Sequence, residues 1–379
     1  MLFEFLHHIF RYNDYYLVND MEVDDVSFEP RKKSCCRKCL IIGAISLLCL
    51  LILGFLIVFV VLPLVFMNSI SLQRALIFTH FDLPSSEKYF ETYRLPGYLN
   101  KYVTVKDLDG RTNVTLGVWQ MLPVLLAYES LHNPEFDYKE ALFNSNYSVL
   151  IYFHGTGESR SDSSRKFQLL RYYFHVIAFD YRSYADSTQG ILSEKAVVSD
   201  CVQLYQWLRN RTNSPIYIWG HSLGAALATE TEVALRNLNY SPKGLILESA
   251  FTNLRDEMYV HPYVKIFAWL PWFAGTILNP LRDNGFIFDT DTRIRKVSCP
   301  VMILHAEDDS IVPYKFGREL YKIASNRSVD AANTTFYHQF GKDLGYDHYF
   351  IYQDPYVKYF IMDFIVVAEK NESRTVDSP

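Results

Sequence analysis

Cysteine is scarce in this chain of 379 residues and poorly placed for a structural role. Of the six, Cys35, Cys36, Cys39 and Cys49 fall in or beside one apolar run, which leaves Cys201 and Cys299 for everything after it. Two distant thiols exclude a disulfide-stapled fold, so stability has to come from a hydrophobic core. No group of Cys, His, Asp and Glu has metal-ligand spacing, and no glycine-rich loop has the form that cradles phosphates, so no metal or nucleotide cofactor is expected. Positive charge is not in excess either: 37 Lys and Arg stand against 42 Asp and Glu, which argues against a nucleic-acid partner. Internal repeats and low-complexity linkers are missing as well.

What the chain does have is Gly220-His221-Ser222-Leu223-Gly224, set between the apolar run 216–219 and the alanine-rich stretch 225–228. The order strand, tight turn, helix turns a Gly-x-Ser-x-Gly match into a nucleophile elbow, in which the flanking glycines let the chain reverse and present the serine hydroxyl above a sheet edge. The competing explanation is a serine helix cap on a small-residue packing surface. A hydroxyl is a weak nucleophile at neutral pH, so a histidine must take its proton and a carboxylate must fix that histidine's tautomer. Downstream, the buried-strand pattern 301–305 runs into Ala306-Glu307-Asp308-Asp309. Asp309 stands in Asp-x-x-Val-Pro spacing with Val312-Pro313 and is preferred over Asp308; Glu307 and Asp308 are left to loop hydrogen bonding. His338 falls inside the next strand, where its ring meets a sheet face, whereas His348 lies in the loop beyond and is the expected base. The oxyanion needs two preorganised amides. Leu223, after the nucleophile, supplies one, and Thr156 in the His-Gly loop after the strand 148–153 is expected to supply the other.

Strands at 175–179 and 244–247 alternate with helices, one carrying Val197, Val198, Cys201, Leu204, Tyr205 and Leu208 at helical spacing. Such alternation implies a mostly parallel sheet flanked by helices, an α/β-hydrolase fold over 83–370. A lid insertion is expected at about 250–298. Its Tyr259, Tyr263 and Phe267 recur every fourth residue as a stripe on one helix face, followed by Trp269, Trp272 and Phe273. Packing against the domain is the plain reading of these six aromatic residues; an acyl-binding tunnel or a seat in the bilayer interface is the functional one.

Leu40 to Val61 is an uncharged run long enough to cross a bilayer. The expected organisation is a cytosolic arm over 1–38, a transmembrane helix over 39–66, a linker over 67–82, the hydrolase domain, and a tail over 371–379. Arg31, Lys32, Lys33, Arg37 and Lys38 precede the run and no charge follows it before Arg74, so the positive-inside rule predicts a single-pass type II protein. The sequons at Asn113, Asn146, Asn210, Asn239, Asn326, Asn333 and Asn371 all follow the anchor, consistent with a luminal or extracellular catalytic domain. Cys35, Cys36 and Cys39 border the membrane and are candidates for palmitoylation, against chance placement at the membrane edge.

Gly244-Leu-Ile-Leu-Glu-Ser-Ala-Phe-Thr-Asn253, His305-Ala-Glu-Asp-Asp309 and Asp343-Leu-Gly-Tyr346 resemble the membrane-anchored abhydrolase-domain lysophosphatidylserine and monoacylglycerol lipases. The resemblance implies an endoplasmic-reticulum serine lipase acting on membrane lysophospholipids or monoacylglycerols, with Ser222, Asp309 and His348 as its triad; the plasma membrane, with an extracellular domain, is the alternative location. The chain departs from it in two places: the acidic, tyrosine-rich N-terminal arm does not match, and His154-Gly155-Thr156-Gly157-Glu158 stands where these proteins typically have His-Gly-Asn-Ala-Gly. An acyl thioesterase or peptidase would use the same triad, and an inactive adhesion or receptor domain is the non-enzymatic alternative. Arg160, Arg165, Lys166 and Arg182 are basic residues that a phosphate could meet, and none is assigned.

Overall fold

The computed structural model describes residues 37–79, 96–327 and 334–376, with side chains from 39 to 370. Residues 1–36 of the expected arm, with Cys35 and Cys36, lie outside the described residues, as do Asn333 and the side chains of Arg37, Lys38 and Asn371. The chain divides into two compact units, Met1–Gly54 and Phe55–Pro379.

Eight strands form one sheet: β1 (Tyr98–Lys106), β2 (Asn113–Met121), β3 (Ser148–Phe153), β4 (Phe174–Phe179), β5 (Ile216–His221), β6 (Gly244–Glu248), β7 (Val301–Ala306) and β8 (Thr335–Phe340), in the order β1-β2-β4-β3-β5-β6-β7-β8. β1 and β2 pair antiparallel, as do β2 and β4, and every later pairing is parallel. Strands β3 to β7 are buried at every position, because helices cover both faces and leave no solvated side to alternate with. One face packs on Leu223, Ala225 and Leu227, the other on Phe364 and Ile361. The parallel registers bring the carboxyl ends of β3, β5, β6 and β7 level: Gly220 is opposite both Phe153 and Leu247, and His221 opposite Glu248. Loops after these strands therefore meet at one edge, where α/β sheets bind their ligands.

The apolar run folds as α1 (Arg37–Leu56), a π turn (Ile57–Val61) and α2 (Leu62–Asn68), and is long and apolar enough over Cys39–Asn68 to cross a membrane. Those 30 residues would extend about 45 Å, more than the roughly 30 Å hydrocarbon core requires. The surplus belongs to the folded body, since Pro63 and Phe66 in α2 are buried. The π turn has a local cause. Pro63 has no amide to offer the Phe59 carbonyl one turn back, and the Trp272 indole donates to that oxygen instead, at 2.9 Å.

The expected linker over 67–82 differs from what is found. Ser69 caps a helix, α3 (Ile70–Ile77), and Gln73, Ile77 and Phe78 are buried. Gln73 donates to the Phe66 carbonyl and Phe78 meets the rings of Phe286 and Phe288, so this segment is a packed part of the hydrolase body. The lid also departs from expectation. It begins with a two-turn helix, Leu254–Val260, but His261 is extended because Pro262 follows, and the chain re-forms only a 3-10 turn at Lys265–Phe267. Tyr259, Tyr263 and Phe267 therefore share no helix face. Cys201 and Cys299 are buried as free thiols, as apolar packing groups.

Beneath the elbow, Lys166 on the helix Ser164–Leu170 (α4) is buried with Glu248, Nζ to Oε2 at 2.7 Å, and the Trp219 indole donates to the same oxygen at 2.8 Å. Replacing Lys166 by Met strands the Glu248 carboxylate in the core. We expect Lys166→Met to cost about 3–5 kcal/mol of stability, read as a lowered denaturation midpoint in detergent; a cost near zero would contradict a structural role for the pair.

Candidate active site

Ser222 sits at φ 53° and ψ −120°, between the last residue of β5 and the first of the helix Leu223–Asn237 (α5). Few serines adopt positive φ, and such strain persists only where the surroundings impose it. Here the Ser222 amide donates to the Glu248 carbonyl at 3.0 Å, which ties the turn to the end of β6. The flanking glycines are required by space: a Cβ on Gly220 would strike Gly224 and Ala225, and one on Gly224 would strike the carbonyl oxygens of Phe153 and His154. The elbow and the loop after β3 are thus in contact through backbone.

His348 Nδ1 lies 2.8 Å from Asp309 Oδ2 and 3.0 Å from Oδ1. A carboxylate only accepts, so Nδ1 carries the hydrogen and Nε2 is bare, the tautomer a general base requires. Burial presses the His348 pKa down more strongly than Asp309 lifts it, which keeps the ring neutral at physiological pH. Asp309 accepts from the amides of Ile311 and Val312, at 3.0 and 2.8 Å, so the spacing to Val312 is that of a side chain capping its own loop. Burial would raise its carboxyl, but His305 and His348 hold it well below the usual carboxylate range. His305 Nε2 stands 3.3 Å behind Oδ2 and was not anticipated from sequence. The other two acids hold loops: Asp308 accepts from the Asp347 amide, beside His348, and Glu307 from the Lys342 amide. His338 stacks on Phe360 with ring centroids 3.8 Å apart, in the sheet-face position expected of it.

Ser222, His348, Leu223 and Thr156 line one cavity of about 210 Å³. Among the described residues the Thr156 amide has no hydrogen-bond acceptor, and the Leu223 amide is the first of its helix. The loop bearing Thr156 is pinned from outside the sheet: Gly157 donates to the Thr79 carbonyl at 2.7 Å, and the Thr156 hydroxyl to the Ile77 carbonyl at 3.1 Å. Leu76, Ile77 and Thr79 also line the cavity, so the segment after the anchor makes part of its wall.

Glu158, the departure noted in this loop, has a structural consequence. Its Oε2 accepts from the Gly155 amide at 2.7 Å and lies 3.1 Å from His221 Nδ1, while His221 Nε2 is 2.9 Å from the His348 carbonyl. Both ring nitrogens face acceptors, so His221 is an imidazolium that donates twice. Burial opposes that charge, and the Glu158 carboxylate outweighs burial and raises the pKa. Burial would likewise raise Glu158, but His221 and Lys166 hold it well below the usual carboxylate range. A buried ion pair therefore joins the oxyanion loop, the elbow and the histidine loop. The contact spans 63 residues of sequence, and the glutamate in place of the glycine was its one visible signal.

Of the six lid aromatics, the structure places only Tyr263 on this cavity. Tyr259 and Phe273 pack on each other with centroids 5.1 Å apart, Phe267 and Trp269 each lie 5.7 Å from Phe59, and Trp272 bonds the Phe59 carbonyl. The acyl-tunnel expectation is corrected accordingly: the apolar wall comes from Leu76, Ile77, Phe251, Leu254, Met258 and Ile311. Three of the four basic residues are not available to a phosphate in the cavity, and the fourth, Arg165, is exposed and does not line it. Arg160 is buried with Asp180 and Asp186, Lys166 with Glu248, and Arg182 with Asp107 and Asp200.

A family profile described as serine aminopeptidase, S33, matches residues 144–285. The lysophosphatidylserine lipase ABHD12 of Xenopus tropicalis is 36% identical over 269 residues, 69% of each chain. That of Danio rerio is 37% identical over 264 residues, 68% of each chain. Among solved structures, an esterase from Pyrococcus furiosus superposes with a TM-score of 0.49 at 16% identity, over 72% of this chain and 91% of its own. At 36% and 37% identity over more than two thirds of each chain, the likeness to the two lipases establishes that the chain belongs to the ABHD12 family of α/β-hydrolases.

Proposed function

We propose that the chain is a membrane-anchored serine lipase that hydrolyses the acyl ester of lysophospholipids or monoacylglycerols, with Ser222, His348 and Asp309 as its triad. The observation that carries this reading is one cavity holding a serine at positive φ and a histidine whose Nδ1 is fixed by a buried carboxylate. His348 Nε2 takes the Ser222 proton as Oγ attacks the ester carbonyl, and the Leu223 and Thr156 amides hold the oxyanion. Collapse expels the alcohol, which receives that proton from His348. Water then repeats the sequence against the acyl-enzyme, releasing the fatty acid and restoring Ser222. The His221 imidazolium adds a fixed positive charge beside the developing anion.

We further infer a single-pass type II arrangement in the endoplasmic reticulum, with the catalytic domain luminal. It is supported by the basic residues before the apolar helix and by the exposure of Asn113, Asn146, Asn210, Asn239 and Asn326. Endoglycosidase should then shorten the apparent mass of cell-expressed protein, and protease added to sealed microsomes should digest an N-terminal tag. A protected tag and an unchanged mass would place catalysis in the cytosol.

Fluorophosphonate labelling should be lost in Ser222→Ala, with turnover of a lysophospholipid or monoacylglycerol falling by several orders of magnitude; labelling that survives would name another nucleophile. Asp309→Asn should lower turnover about ten-thousandfold by releasing the wrong tautomer of His348, whereas Asp308→Asn, which disturbs one loop hydrogen bond, should be mild. Because the His348 pKa is depressed and the neutral ring is the active form, kcat/KM should hold as pH falls past about 6.5, the ordinary histidine value, with its acidic limb centred below that value. An acidic limb centred above that value in kcat/KM would contradict the assignment.

A further inference from the structure

Two polar side chains on the lid side of the catalytic cavity are not used by the triad or the oxyanion loop. Glu257, on the helix Leu254–Val260, is 3% exposed, and among the described residues neither of its carboxyl oxygens has a hydrogen-bond partner. One turn on, His261 Nδ1 is also buried and unpartnered. Both residues line the cavity that holds Ser222 and His348. Their backbone is fixed: Asn253 caps the helix through the Asp256 amide at 2.9 Å, and the His261 amide donates to the Glu257 carbonyl at 2.8 Å. Buried polar groups without partners are costly, and at a cavity wall the partner is supplied by whatever occupies the cavity.

The cavity also restricts what that ligand can be. Its lining contains no lysine or arginine, and the His221 imidazolium on its wall is already paired with Glu158, so an anionic phosphate would find no unpaired counter-charge inside. An uncharged hydroxyl fits. Burial, reinforced by the charge of Asp309 and opposed by Lys315, pushes the Glu257 carboxyl up to about 8, so at neutral pH it offers one O–H donor and one carbonyl acceptor. His261 is held neutral, first by burial and then by His348, which leaves its ring able to exchange one further hydrogen bond.

We propose that Glu257 and His261 form a subsite for a free hydroxyl of the substrate's glycerol backbone. Monoacylglycerols and lysophospholipids both present such a hydroxyl next to the scissile ester, so the subsite selects glycerol esters over simple alkyl esters, and a phosphorylated head group extends beyond the cavity. The proposal rests on the lipase reading above.

The test compares kcat/KM for 1-oleoylglycerol, 1-oleoyl-lysophosphatidylserine and propyl oleate in mixed micelles, using the full chain with Glu257, Glu257→Leu or Glu257→Gln. Only the ratio of glycerol ester to propyl ester is interpreted, since it does not depend on how much of each variant is folded. Glu257→Leu should lower that ratio roughly tenfold or more, because a site built for a hydroxyl loses its preference when the polar group is removed. Glu257→Gln, which keeps a donor and an acceptor, should restore most of it. A fall for both glycerol esters identifies the shared backbone hydroxyl, and a fall for one assigns the subsite to that lipid class. An unchanged ratio in Glu257→Leu overturns the proposal. If the wild-type chain hydrolyses none of the three esters, the lipase reading fails and the subsite falls with it.

Discussion

A serine held at φ 53° and ψ −120° is strained by on the order of 1–3 kcal/mol, and the groups around it share the task of keeping it there. Gly220 and Gly224 remove the side chains that would collide. The Glu248 carbonyl takes the Ser222 amide, and the Glu248 side chain is locked in the core by Lys166 and Trp219. The same turn then feeds the rest of the site. Its His221 grips both the oxyanion loop, through Glu158, and the histidine loop, through the His348 carbonyl. The proposed nucleophile, base and oxyanion donors are thus positioned by side chains that meet beneath and beside one strained residue.

Much of this arrangement was legible in the sequence because its parts are local. The elbow is five consecutive residues with a strand before and a helix after. The Asp-x-x-Val spacing is a carboxylate capping its own loop, and His348 stands in the first loop past the last strand. What was not legible depends on contacts between distant segments. Glu158 and His221 are separated by 63 residues, His305 lies behind Asp309 through the curl of its own strand end, and the burial of Glu257 follows from how the lid helix is laid over the cavity. The aromatic stripe failed for a reason the sequence did contain: Pro262 forbids a helix at His261, and a four-residue spacing carries no meaning across a broken helix. The segment 67–82 lacked a strong apolar period and read as a linker, yet Ser69 caps a helix there and Ile77 and Phe78 complete the core.

The charges are divided by location. Three of the four cations that might have met a phosphate are sunk in ion pairs within the domain, where they brace loops and strand ends, and Arg165 is exposed away from the cavity lining. The cavity keeps histidines and one protonated carboxyl, an environment suited to a neutral ester and its alcohol. Selectivity at the scissile bond is then a matter of shape and hydrogen bonding, and any recognition of an anionic head group has to occur at the rim.

The segment between the anchor and the sheet has two roles. Through Ile77 and Thr79 it holds the loop that carries the Thr156 amide, and with Leu76 it walls the cavity in which the acyl chain begins. Proteolytic release of the catalytic domain by a cut between Thr79 and β1 would therefore not yield a soluble version of the same enzyme, whereas a cut before α3 would keep this segment with the sheet. The first cut would leave the segment that supports the Thr156 loop held by noncovalent contacts alone, free to depart and open one side of the cavity to water. Where the chain is shed, in this architecture, decides whether the released domain keeps its site.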